Sequence, residues 1–209
     1  NIGRLLASIP YAPRVEGSLG GDLHFVQDKD MTFSISSSID TRGLVYEGCA
    51  IGNLGTELVY MPRDDGSHHL DGILSLDGRE IATVKGAYNF DTSRIDADMA
   101  FDKFPMQIVN GFVPDQIIGL EGYAEGVLAI HGPTSAPQVD GELYLESASL
   151  ISVPYGTRMR FDDDPIRIAG SKLLFENFQI YANNNQPLTS YGSLDFSDPA
   201  HAKLDLLMR

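Results

Sequence analysis

The sequence predicts an all-β fold, an elongated stack of strand repeats carrying one short helix. Three observations predict it. Apolar and polar residues alternate with a period of two along most of the chain, turn-forming residues separate the alternating runs, and a Gly-x-Leu-x-apolar pattern recurs. Successive side chains of a strand point to opposite faces, so each alternating run reads as a strand with one dry and one wet face.

Taken in order, the stretch from Ile2 to Ile9 fits a short helix or a strand equally well. Met31, Phe33, Ile35 and Ile39 then point one way, and Thr32, Ser34, Ser36 and Ser38 the other. Leu70, Leu74 and Leu76 alternate with Asp71, Ser75 and Asp77. Ile95, Ala97, Met99 and Phe101 alternate with Arg94, Asp96, Asp98 and Asp102. Leu143 and Leu145 sit among Glu142, Tyr144 and Glu146. Ala202, Leu204, Leu206 and Met208 close the series against His201, Lys203 and Asp205. Between the runs lie Asp64-Asp65-Gly66, Asp77-Gly78, Pro154-Tyr155-Gly156 and Asn183-Asn184-Asn185, residues that tolerate the positive φ of hairpin turns. With 21 Gly and 11 Pro, helix content must be low. One helix is predicted from Asp102 to Val113, with Phe104, Ile108, Val109 and Phe112 on one face. Asp102 would cap it, Pro105 suits its first turn and Pro114 stops it.

The repeat signal has two levels. Ala12-Pro13-Arg14-Val15-Glu16-Gly17-Ser18-Leu19 matches Ala136-Pro137-Gln138-Val139-Asp140-Gly141-Glu142-Leu143. A shorter echo runs through Gly72-Leu74-Leu76, Gly126-Leu128-Ile130, Gly141-Leu143-Leu145 and Gly192-Leu194-Phe196. Strand units that cannot bury a face alone imply a stack. Residues 1–209 are therefore read as a single β-repeat domain, with repeats starting near 12 and near 136. The opening Asn1-Ile2-Gly3-Arg4 and the closing Met208-Arg209 lead us to expect a segment of a longer polypeptide.

Composition narrows the function. Hydrophobic residues are 43% of the chain, enough for a large buried surface. The formal net charge of −14 and the absence of any basic cluster argue against nucleic acid and against docking on anionic headgroups. No run of about 18 apolar residues offers a membrane span. The single cysteine, Cys49, cannot form an internal disulfide and reads as a small buried hydrophobe.

Candidates for chemistry are few. His68 and His69 are adjacent, so a strand sends them to opposite faces and they cannot share a metal. His24, His131 and His201 show no ligand spacing. Asp28-Lys29-Asp30 and Asp162-Asp163-Asp164 match no calcium loop and read as solvated turns. Ser36-Ser37-Ser38 lacks a nucleophile elbow and reads as the wet edge of a strand. Paired carboxylates remain open in a chain with 29 acidic residues. The expectation is a protein that is not an enzyme, with no cofactor and no metal.

Ten or more strands with dry faces outnumber what one helix can cover. A second sheet, a closed barrel, or an open curved sheet whose dry face is a groove would each solve this. Periodicity does not choose among them.

The stretch from Phe104 to Phe161 carries a resemblance. Its Phe104-Pro105-Met106-Gln107-Ile108-Val109 leads to the strand Gly119-Leu120-Glu121-Gly122-Tyr123-Ala124-Glu125-Gly126-Val127-Leu128-Ala129-Ile130-His131-Gly132. Pro133, Ala136-Pro137-Gln138-Val139-Asp140-Gly141-Glu142-Leu143, Ala148 and Val153-Pro154-Tyr155-Gly156 follow. This resembles the C-terminal β-rich domain of the TamB family, the AsmA-like translocation and assembly module proteins. Leu173-Leu174-Phe175-Glu176-Asn177-Phe178 and Tyr191-Gly192-Ser193-Leu194 extend it, and it is looser over residues 1 to 100. These are strand and turn patterns, not catalytic signatures.

The resemblance implies an elongated, curved antiparallel or mixed sheet forming an apolar trough, a β-taco. It implies a periplasmic protein of a Gram-negative bacterium, anchored full-length in the inner membrane. It implies a role in outer-membrane biogenesis, through phospholipid transport between the membranes, assembly of outer-membrane proteins, or both. The partners would be phospholipid or another apolar ligand and an outer-membrane barrel protein. The candidate lining is Phe33, Ile35, Leu74, Leu76, Met99, Phe101, Leu128, Ile130, Leu143, Leu145, Leu204 and Leu206. The competing readings are a β-sandwich module that binds a glycan or protein and uses these residues as core, and a spacer whose groove is filled by another polypeptide.

Overall fold

The computed structural model describes residues 13–27, 33–112, 118–182, 186–198 and 201–209. Asp28-Lys29-Asp30, Met31, the stretch from Ile2 to Ile9, Ala12, Asn183-Asn184-Asn185, Val113 and Pro114 lie outside them. The chain forms β1 (Val15–Gln27), β2 (Phe33–Tyr46), β3 (Cys49–Gly52), β4 (Leu54–Pro62) and β5 (Ser67–Leu76). β6 (Arg79–Asn89), β7 (Arg94–Pro105), β8 (Ile118–Pro133), β9 (Gln138–Ser152) and β10 (Thr157–Phe161) follow. The last are β11 (Ile166–Ala169), β12 (Lys172–Tyr181), β13 (Pro187–Asp195) and β14 (Lys203–Met208).

All of these belong to one antiparallel 14-stranded sheet in the order β1-β2-β4-β5-β6-β7-β8-β9-β10-β12-β13-β14, with β3 on β2 and β11 between β9 and β12. The topology is a meander because turn chemistry joins each strand to the next. Asp77-Gly78, for example, links β5 to β6 with φ of 51° and 81°, the two positive values a tight two-residue hairpin needs. Among the described residues β1 and β14 end the order and do not pair with each other, so the described sheet is not closed into a barrel.

The sheet is open. The accessible surface of the chain is 13388 Å², against about 9,600 Å² for a compact monomer of this mass. A two-layer sandwich would hide the inner face of every strand. Here the buried hydrophobic residues among those described are Ile81, Leu145, Ala148, Ile168 and Phe178. One true core forms where β10 gives way to β11. Leu145, Ala148 and Phe178 are buried there against Met106, Phe161, Ile166 and Phe175.

The sheet also curls. Bulges interrupt β6 between its partners of Leu74 and Ser75, β7 between Phe101 and Phe104, and β12 between Phe175 and Phe178. Bulges bend a strand and raise its twist. At one border the curl brings distant strands together. Asn110 bonds to Leu120 of β8, and the next residue, Gly111, abuts Tyr46 of β2. In a flat sheet β2 and β8, five strand spacings apart, would be separated by about 24 Å.

The helix differs from its expected form. It is a 3₁₀ helix, Met106–Phe112, and Asp102 to Pro105 belong to β7. Asp102 is therefore no cap. Pairing with β8 holds these residues extended up to Pro105↔Tyr123, a tertiary override of the local helical pattern. The expected apolar face is not buried either: Gly111 is the buried residue, and Val109 and Phe112 are exposed.

Candidate functional site

The twelve predicted lining residues share one face of the sheet. Residues directly opposite on antiparallel strands point to the same side. Met99 faces Leu128, which faces Gly141. Phe101 faces Gly126, and Gly126 faces Leu143. Ile35 faces Tyr60, and Leu74 faces Thr56 on the same side of β4. At the far edge Leu194 faces Leu204, and Gly192 faces Leu206. Phe33, Leu76, Ile130 and Leu145 lie two residues along their strands from these and so share the face.

Their exposure differs from that of a core. Leu145 is buried, Phe33 and Leu204 are exposed, and the other nine are half-buried. Among the described residues the strands form one sheet, and apart from Leu145 these side chains keep part of their surface accessible. A hollow of about 280 Å³ opens among Leu58, Leu74, Val84, Met99, Phe101 and Phe104, and its wall is almost wholly apolar. A larger one of about 670 Å³ lies beside Phe33 and the Asp64-Asp65 turn, but Arg63 and both aspartates make its wall mixed. The smaller hollow fits an apolar guest better.

The Gly-x-Leu echo has a physical meaning at β8 and β9. Gly126 stands opposite Leu143, and Leu128 opposite Gly141, so each glycine receives its neighbour's leucine. Gly126 has φ of +138°, and an added Cβ would lie 2.1 Å from the Glu142 carbonyl oxygen. Gly141 has φ of +156°, and its Cβ would lie 2.2 Å from the Val127 carbonyl oxygen. Only glycine permits that backbone and that approach. The longer repeat is less regular: β1 and β9, which carry its two copies, run in opposite directions across the meander.

Sequence reasoning missed an aromatic cluster on the same face. Phe33, Tyr60, His68, Phe90 and Tyr88 form a chain of ring contacts with centroids 4.5 to 6.3 Å apart. Alternation through Ser67 to Leu76 could have found it, since His68, Leu70, Leu74 and Leu76 share parity. His68 lies within β5. It is half-buried and hydrogen-bonded to the Tyr60 hydroxyl. His69 points to the other face, toward the Ser67 hydroxyl at 3.1 Å. Ser37 is also corrected: it faces Leu58, so it interrupts the dry face, and only Ser36 and Ser38 are on the wet one.

Asp65, Ser67 and His69 bring triad residue types together with the wrong wiring. The Ser67 hydroxyl and amide both donate to the Asp65 carboxylate, at 2.5 and 2.9 Å. Those two bonds hold the Asp65 carboxyl below its ordinary value of 3.8. A serine nucleophile needs its histidine oriented by the carboxylate, and here the carboxylate holds the serine. Among the described residues no group of three or more His, Cys, Asp or Glu could hold a metal. No described helix is long and apolar enough to cross a membrane.

The wet face carries exposed cross-strand pairs, such as Arg158 with Glu121 at 2.8 Å and Lys103 with Glu146 at 3.4 Å. Exposed pairs of this kind add little to stability, about 0–1 kcal/mol each. Cys49 is half-buried, its sulfur 3.5 Å from the Gln107 carbonyl oxygen. Comparison with family models, with characterised proteins and with solved structures gives no match.

Proposed function

We propose that this chain is an apolar-groove protein of the TamB type, supporting outer-membrane biogenesis in the periplasm by carrying phospholipid between membranes. The observation that carries the reading is the dry face of a single 14-stranded sheet, on which, among the described residues, most of the apolar side chains outside the Leu145–Phe178 core stay half-buried or exposed. An acyl chain of about 14 methylenes would cost on the order of 11 kcal/mol to pass through water, at about 0.8 kcal/mol for each. A continuous apolar lining removes most of that cost, while polar headgroups stay in solvent. Movement along such a lining requires no catalytic residue. The acidic wet face keeps an extended sheet soluble.

Support for a role in outer-membrane protein assembly comes from the sheet edges. β1 and β14 are edge strands of the described sheet, and an edge is a template for another strand. Native mass spectrometry of protein purified from a Gram-negative host tests the main reading. The expected result is copurifying phospholipid, with photocrosslinks to acyl chains from Leu74 and Phe101. Protein that carries no lipid and yields no acyl crosslinks at either position would overturn it.

A further inference from the structure

The 3₁₀ helix, Met106–Phe112, touches two parts of the sheet that the strand order keeps apart. Toward β8 it behaves like a missing strand. β7 stops pairing at Pro105↔Tyr123. The Asn110 side chain then accepts from the Leu120 N–H at 2.7 Å and donates to the Leu120 carbonyl at 3.0 Å. A side-chain amide thus occupies backbone groups that β7 no longer reaches.

Toward β2 and β3 the contacts are of another kind. The Phe112 ring stacks on Tyr46 with centroids 4.8 Å apart. Gly111 lies so close that an added Cβ would be 2.9 Å from the Tyr46 ring and 3.1 Å from its carbonyl oxygen. The Gln107 carbonyl faces the Cys49 sulfur at 3.5 Å. Phe112 remains 65% exposed despite its stack. One side of the helix is therefore held by two strong, directed hydrogen bonds, and the other by a half-wet ring contact and a weak thiol contact. A short 3₁₀ helix has poor internal hydrogen bonds to resist motion between the two.

We infer that this helix is a strap across the curl of the sheet, hinged on β8 through Asn110 and latched reversibly on β2 and β3 through Phe112 and Gly111. Closed, it holds the β2 border close to β8. Released, it lets that border swing out and widens the groove. The inference concerns the shape of the sheet and does not depend on what the groove carries.

Cys49 is the chain's single cysteine and sits under the latch, so its labelling by a maleimide reports release without any added probe. In the unaltered protein Cys49 should label at least ten-fold more slowly than in denaturant. Phe112→Ala should raise the rate roughly ten-fold, enlarge the radius of gyration seen by X-ray scattering, and leave the thermal transition of the sheet in place. An unchanged rate in Phe112→Ala, or a raised rate with no change in radius, would overturn the strap. Should Phe112→Ala fail to fold, the unaltered protein still decides. Labelling of Cys49 faster than amide exchange from Val127 to Ile130 supports a local release. One shared rate for both would mean that the latch opens only by global unfolding, and the proposal fails.

Discussion

Replacing Gly126 by alanine should destabilise the sheet by several kcal/mol, although it adds only one methyl group. Gly126 has φ of +138°, and a side chain there costs about 1–3 kcal/mol in backbone strain. The new Cβ would sit 2.1 Å from the Glu142 carbonyl oxygen, inside the 3.0 Å that real Cβ atoms respect. β8 and β9 must separate to admit it, at a further cost of about 1–3 kcal/mol. The smaller conformational entropy of the unfolded alanine chain offsets about 0.4–1 kcal/mol. The net is a loss of about 1–6 kcal/mol, or a fall in Tm of roughly 2–24 °C for a chain of this size. Gly119 supplies a control in the same strand: its Cβ would meet nothing closer than Ile151 at 3.6 Å. Gly119→Ala should be neutral or mildly stabilising. The assay is urea denaturation followed by circular dichroism, with both variants measured beside the parent. If the two differ by less than about 1 kcal/mol, the link between the glycine echo and close strand approach is wrong.

Two further outcomes follow from the same geometry. Leu143 is half-buried on the dry face, whereas Leu145 is 5% exposed in the core. Leu143→Arg should therefore fold and lose copurifying lipid, while Leu145→Arg buries an unpaired charge and should not fold; native mass spectrometry and thermal melts separate the cases, and equal melts would refute the distinction. The Asp65 carboxyl is held below 3.8 by its two bonds from Ser67, so its contribution to the β4–β5 turn is present above pH 4 and is lost as pH falls through the lowered value. A carboxyl-carbon titration by NMR should place Asp65 below 3.8 and return it toward 3.8 in Ser67→Ala; an unchanged value in the variant would remove the cause assigned to it.

The strand content was legible because a half-buried strand writes its two faces into alternate residues. Met99, Phe101, Leu143 and Leu204 could be assigned to the dry face on that ground alone, and the register puts them there. Where alternation fails, a bulge intervenes. Ile81 is fully buried at such a point in β6, and no period marks it. The helix was misplaced for a related reason: Phe104, Ile108, Val109 and Phe112 have helical spacing, but the ladder to β8 claims the first of them. Asn110 was invisible as an anchor, since it meets Leu120 only where β7 has stopped pairing with β8.

Whether the dry faces formed a sandwich core or a groove was beyond the reach of periodicity, because both put leucine at alternate positions. The distinction rests on what lies opposite each residue. In a core, burial would be spread along every strand; here it gathers around Leu145, Ala148 and Phe178 and thins out toward Phe33 at one side and Leu204 at the other. Close packing at one place and half-exposed leucines elsewhere divide the labour within a single face. The core near β10 and β11, together with the hydrogen-bonded ladder, stabilises the sheet. The rest of the face is then free of that demand, and its half-exposed apolar side chains are the pattern that the proposed groove requires.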